Sequence, residues 1–153
     1  MSDPKALVTR FYEAFKQKDA AKMAACYHPD VEFSDEVFVG LRGEEAAKMW
    51  QMLCERGKDL RIVFSDIVAD EHRGSANWEA WYTFSKSGRK VHNVIHAEFT
   101  FKDGKIFTHR DTFPFHRWAK QALGLPGLLL GWTGFFRKKV QATAMDGLRK
   151  FMQ

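Results

Sequence analysis

Two cysteines, four prolines and three tyrosines are all that 153 residues contain of these types, and no long apolar run is present. Each shortage excludes something. Cys26 and Cys54 are too few for a disulfide framework, and they read as small buried hydrophobes. The opening residues, Met1-Ser2-Asp3-Pro4-Lys5, show neither the basic start nor the apolar stretch of an export signal, so the expected compartment is the cytoplasm. No segment approaches the ~20 uninterrupted apolar residues of a membrane-spanning helix. A glycine-rich phosphate loop is missing, and nothing sits at metal-ligand spacing, so neither cofactor nor metal is expected. His92, His96 and Glu98 come nearest, but on a strand His92 and His96 stand ~13 Å apart, too far to share one zinc.

Apolar and aromatic residues are plentiful: 45% of the chain is apolar, with 14 phenylalanines and five tryptophans. A single domain of this size buries ~70% of the surface its unfolded chain exposes, which excludes disorder. The net charge of +5 is unevenly spread. Residues 117–153 hold seven basic side chains (Arg117, Lys120, Arg137, Lys138, Lys139, Arg149, Lys150) against Asp146 alone, which leaves 17 basic and 18 acidic residues in the first 116. A near-neutral body with a basic tail does not point to nucleic acid.

Leu7, Val8, Phe11, Tyr12 and Phe15 follow helical spacing, so Pro4 to Asp19 reads as an amphipathic helix with Asp3 as its N-cap. Asp19 opens a short second helix carrying Met23, Cys26 and Tyr27, which His28-Pro29-Asp30 ends. Val31 to Val39 holds one strand or two short ones, and Glu44 to Arg56 is a third helix closed by Gly57. From Leu60 the period becomes 2. Strands follow around Leu60–Phe64, Trp78–Phe84, Val91–Phe101 and Ile106–Phe115, joined by hairpin turns at Ser87-Gly88 and Asp103-Gly104. Three helices followed by an antiparallel meander make an α+β plan. In the tail, Arg117–Leu123 extends as helix, Leu128–Trp132 is strongly apolar, and Phe135 to Phe151 is a final amphipathic helix.

The stretch from Phe15 to Phe33, with its Lys18-Asp19 turn and His28-Pro29-Asp30 entry into a strand, resembles the opening of nuclear transport factor 2-like proteins. Gly40-Leu41-Arg42-Gly43 and Asp103-Gly104-Lys105-Ile106 are similar to that superfamily as well. The likeness covers about residues 1–116 and lies nearest the SnoaL-like and ketosteroid-isomerase-like branch. It implies a cone-shaped, curved antiparallel sheet on the N-terminal helices, a cystatin-like α+β barrel, with residues 117–153 as a helical extension of the same domain. Its strands would turn Trp78, Ala80, Tyr82 and Phe84, then Asn93, Ile95, Ala97 and Phe99, then Phe107, His109, Asp111 and Phe113, into an apolar pocket.

The same resemblance locates chemistry. Asp35 falls where the isomerase keeps its general base, and Asp111 where SnoaL-type cyclases and limonene-epoxide-hydrolase-like enzymes keep an acidic residue; Tyr82 and His109 share the cavity. Phe11, Phe33, Trp50, Trp78, Phe84, Asn93, Ala97 and Phe113 would contact the ligand. Carboxylates in an aromatic pocket are pushed toward proton transfer near neutral pH. Departures are equally plain: the isomerase's oxyanion tyrosine is Phe11 and its protonated aspartic acid Ala97. The hydrolases' Arg-x-Asp reads Trp78-x-Ala80, and their Tyr-x-Asn reads Phe33-x-Asp35. Each residue has a plainer alternative: Asp111 an ion-paired strand residue beside Arg110, Asp35 a solvated rim residue, His109 and Tyr82 core side chains.

The expectation is therefore a small-molecule pocket protein without cofactor. Its Asp111, helped by His109, Tyr82 and Asp35, would isomerise, cyclise or hydrate a small apolar organic ligand. A non-catalytic binding or dimerisation module is the rival. Trp81, outward among polar residues, points to a homodimer through the sheet face. For the tail, two fates are open: Leu125–Trp132 folds over the pocket mouth with the last helix packed outside, or the apolar run and Arg137-Lys138-Lys139 lie on an anionic membrane, the less favoured of the two.

Overall fold

The computed structural model describes residues 3–153; Met1 and Ser2, where the export-signal reading begins, lie outside the described residues. Asp3 caps the first helix, α1 (Pro4–Lys16), by accepting from the Lys5 and Ala6 amides, and Asp19 caps α2 (Ala20–Ala25) through the Lys22 amide. Then follow β1 (Tyr27–Ser34), β2 (Leu41–Arg42), α3 (Glu44–Arg56), β3 (Arg61–Ala69), β4 (Arg73–Phe84), β5 (Arg89–Lys102) and β6 (Lys105–Thr112). Three helices complete the described chain: α4 (Phe115–Leu123), α5 (Leu125–Leu130) and α6 (Gly134–Met152). The order is α+β, as the change of hydrophobic period at Leu60 requires.

The strands form one sheet in the order β2-β1-β6-β5-β4-β3. It corrects the expected sheet in two respects. The sheet is open, not a closed barrel, with β2 and β3 at its edges. It is also mixed, because β1 runs parallel to β6; the intervening strands and helix carry the chain back in the same direction. At the β5–β6 hairpin, Asp103 (φ 54°) and Gly104 (φ 73°) both adopt the left-handed region that a two-residue hairpin turn demands.

Three local corrections follow. Tyr27 opens β1 and does not close α2, because the chain leaves the helix at Cys26, one residue before the proline-containing strand needs it to. Val37 and Val39 lie in the loop between β1 and β2, not on a strand. Phe107 does not face the core. A bulge opposite Thr100-Phe101 shifts the register of β6, so Ile106 is buried and Phe107 instead packs on His28 and Lys102.

The concave face of the sheet closes on α1 and α3 around an aromatic core of Phe11, Tyr12, Phe15, Phe33, Trp50, Trp78 and Phe99. The tail returns across this domain: α4 packs on β5, α5 on α4, and α6 on α3. The α4–α5 contact depends on Gly127, where any Cβ would collide with the Ala119 carbonyl. Gly127→Ala should therefore displace α5 and cost roughly 1–3 kcal/mol, measured by urea unfolding.

Candidate functional site

Alternation along β6 turns His109, Asp111 and Phe113 to the concave side while Arg110 and Thr112 face out. Asp111 is only 3% exposed, so its carboxylate looks inward. A single hydrogen-bonded line holds it. The Trp50 indole N–H donates to the Tyr27 hydroxyl (2.7 Å), the Tyr27 hydroxyl meets His109 Nδ1 (2.9 Å), and His109 Nε2 meets Asp111 Oδ1 (2.8 Å). The indole can only donate, so the phenol oxygen accepts from it and its own O–H remains available to Nδ1. Burial, the largest influence on Tyr27, pushes its ionisation well above the ordinary phenol range, so that proton stays in place. A Tyr27 proton directed at Nδ1 matches the Nε2–H tautomer of His109, whose N–H then donates to Asp111 Oδ1. Phe11, Phe33, Trp50 and Phe99 surround the imidazole, with ring centroids 4.4–6.0 Å away.

A second carboxylate follows β1. Phe33 pairs with His109 and Ser34 with Arg110 on the parallel β1 and β6, and Asp35, which leaves the strand just beyond, lines the same cavity as Asp111 and feels its charge. Asp35 Oδ1 accepts from the Val37 and Phe38 amides, at 2.7 and 2.6 Å. Burial outweighs these two bonds and, with help from the Asp111 charge, raises Asp35 from 3.8 to about 7. Tyr82 lies near enough to feel the Asp35 charge; mainly through burial, its hydroxyl is pushed up to about 12. That oxygen accepts from the Trp118 indole (2.8 Å), which leaves the phenol proton free to donate.

These groups line a cavity of about 600 Å³. Asp111, Asp35, Tyr82, Trp50, Trp78, Phe84, Asn93 and Phe113 reach it. Phe11, Phe33, Ala97 and His109 do not: they fill the core behind it, and His109 can act on a ligand only through Asp111. Asn93 is buried, and its amide has no partner among the described residues. Asp111 Oδ2 is likewise unbonded, and it is not among the sealed polar atoms. Asp35 and Asp111 are the acids on the wall, while Arg56, Lys86 and Lys139 stand exposed at the mouth.

Tyr27 and Trp118 have no counterpart in the sequence-based assignment. Helical spacing in the sequence extends α2 to Tyr27, and no spacing rule links that residue to His109, 82 residues away. The final helix also differs from expectation: it is a wall, since Phe136, Lys139, Val140, Thr143, Ala144 and Gly147 of α6 line the cavity with Pro126 and Leu130 of α5. On the outer face, His92 bonds Glu79 (2.8 Å) and His96 bonds Asn77 (2.7 Å). Among the described residues no three His, Cys, Asp or Glu side chains gather as a metal site.

An open α+β cone with an inner cavity defines a pocket protein of the nuclear transport factor 2-like class. Within that class the chain belongs to the SnoaL-like family, whose domain profile matches residues 8–109. Similar solved structures include a nuclear transport factor 2-like protein of unknown function from Burkholderia pseudomallei, with 17% identity, 80% of this chain and 99% of that one covered, and a TM-score of 0.68. An LEH-like epoxide hydrolase from M. tuberculosis is 21% identical over 82% of this chain and 93% of its own, with a TM-score of 0.62. TerC, co-crystallised with polyporic acid, is 19% identical over 76% and 98%, with a TM-score of 0.61. No curated protein matches the chain. Likeness at these identities is likeness of fold.

Tyr27→Phe should leave the Trp50 N–H and His109 Nδ1 without partners and cost roughly 1–3 kcal/mol in urea unfolding. Nitrogen-15 spectra of the wild type should show His109 as the Nε2–H tautomer, and the variant should lose that single form.

Proposed function

We propose that the chain is a cofactor-independent enzyme that moves protons on a small, largely apolar organic molecule, by isomerisation, cyclisation or hydration. The observation that carries this reading is the pairing of Asp111 and Asp35 on the wall of a 600 Å³ cavity whose remaining inner lining is mostly apolar. Asp111 Oδ2 is the proton acceptor, aimed by His109 on Oδ1. Asp35, raised to about 7, is partly protonated at neutral pH and serves as the donor that returns a proton elsewhere on the ligand. Negative charge that develops on a ligand oxygen is met by the Tyr82 hydroxyl and the Asn93 amide. They supply the donors that Phe11 and Ala97 cannot. The 117–153 extension acts as part of the same unit by walling the cavity. The polyporic acid of TerC, a ligand carried by this fold, supports an aromatic substrate class.

Nitrobenzisoxazole tests the base without knowledge of the substrate: a carboxylate in a dry cavity takes its ring proton as the N–O bond opens to a phenolate. Wild-type protein should accelerate this ring opening, and Asp111→Asn should reduce the rate at least about 100-fold. A wild type that binds the probe without opening it would make the chain a carrier, not an enzyme. Asp35 has a separate signature. A carboxyl raised in the folded state binds more protons than in the unfolded chain between about pH 4 and 7, so stability falls as pH rises through that window. Asp35→Asn should remove this slope and be the more stable protein at pH ~8, by about 2 kcal/mol in thermal unfolding.

The convex face of the sheet is the proposed self-interface. Val63 and Val94 are exposed on either side of Glu79, and the next row is a stack of Arg61, Trp81 and His92, with Trp81 and His92 centroids 4.6 Å apart. Light scattering should give the mass of two chains for the wild type and one for Val94→Glu.

A further inference from the structure

The segment joining α4 to α6 reverses the usual placement of residues. α5 turns its glycines inward: Gly127 lies against Ala119, and Gly131 against His116 and Ala119 of α4. Its leucines point the other way. Leu125, Leu128, Leu129 and Leu130, with Trp132 and Phe135 just beyond, are between 44% and 82% exposed. Six large apolar side chains in eleven residues form a protruding elbow, which a water-soluble surface rarely carries without a partner. The one polar atom of Trp132 is already satisfied, since its indole N–H donates to the Leu129 carbonyl. The ring is thus free to enter an apolar phase without leaving a polar atom unpaired.

Charge around the elbow is of one sign. Lys138 and Lys139 stand three and four residues after Phe135, on the same face of α6. Arg89 packs beside Gly124, where α5 begins, and Arg117 and Lys120 are exposed on α4. Glu36, the carboxylate that meets α6, is committed to Arg137 at 3.0 Å. A second copy docking here through the same surface would bring cations against cations. An anionic bilayer meets both halves of the pattern: acyl chains take the leucines, Trp132 and Phe135, and headgroups take the lysines and arginines. No helix among the described residues is long and apolar enough to cross a membrane, so the contact would be interfacial.

We propose that the α5–α6 elbow docks the protein on an anionic lipid surface. The elbow also borders the cavity: Pro126, Leu130 and Phe135 line it and are continuous with the exposed patch. Docking therefore turns the cavity mouth to the bilayer, so an apolar ligand enters from lipid without crossing water. The docking stands on the exposed surface alone, whereas this route into the cavity rests on the ligand reading given under Proposed function.

Sedimentation with vesicles of phosphatidylcholine, with and without about a third phosphatidylglycerol, tests it at about 50 mM salt. The protein should pellet with the anionic vesicles and stay in solution with the neutral ones. Binding should fall steeply by about 500 mM salt. Leu129→Asp combined with Trp132→Ser should abolish pelleting. Lys138→Glu should weaken it roughly fivefold or more. None of these three positions lines the cavity, so opening of nitrobenzisoxazole should be unchanged in all of them. That separates a failure of docking from a failure of the enzymatic reading. Absence of binding to anionic vesicles at low salt overturns the proposal, as does equal binding by the double variant. Concentration-dependent self-association that the double variant abolishes would assign the elbow to a second copy instead, and overturn it too.

Discussion

The line from Trp50 through Tyr27 and His109 to Asp111 is the constraint around which the interior is arranged. Its four members come from three parts of the chain: α3, the start of β1, and two alternate positions of β6. Every polar atom on the line is removed from water, and an unmatched buried donor or acceptor costs about 1–3 kcal/mol. The helix, the parallel β1–β6 pair and the inward face of β6 must therefore hold their register together. Aromatic rings packed around His109 leave no room for water to substitute for a lost partner. The carboxylate at the end of the line emerges into the cavity with one oxygen fixed and the other free.

Parallel pairing of β1 with β6 has a consequence that an all-antiparallel meander would not. Parallel neighbours advance in step, so the residue after Ser34 continues toward the same end of the sheet as the residue after Arg110. Two acids from distant parts of the sequence reach the same cavity. Their surroundings then differ: Asp35 leaves the strand and accepts two loop amides, while Asp111 stays on the strand and accepts an imidazole N–H. That difference in environment gives two similar side chains separate assignments in the proposed reaction.

Local chemistry made much of this architecture readable in advance. Asp3 and Asp19 cap α1 and α2, Gly57 ends α3, and Asp103-Gly104 turns the last hairpin, whereas the inward side of β6 is legible only through the family resemblance. The caps and turns follow rules about neighbours a few residues apart. What escaped depends on partners far along the chain. Nothing near Tyr27 announces that Trp50 and His109 will claim its hydroxyl. The bulge at Thr100-Phe101 that exchanged Phe107 for Ile106 has no local signature. The resemblance puts Phe11, Phe33 and Ala97 where related enzymes keep polar cavity residues, but depth decides that contact. These three lie one layer too deep.

The tail shows how an apolar helix can be well folded yet thinly packed. Of the 19 residues of α6, only Leu148 is buried, while Phe136, Val140, Ala144 and Met145 are half-buried. Phe136, Val140 and Ala144 line the cavity, so they face open volume there. An apolar wall facing open volume gains less dispersion contact than one facing packed atoms. Anchors at the helix's edge hold it in compensation: Arg137 and Gln141 both bind Glu36. Glu36 immediately follows Asp35 in the chain, so the contact that ties the tail to the body also borders the loop holding the second acid. Beside its packing on α3, the cavity wall is thus tied to the residue that follows Asp35.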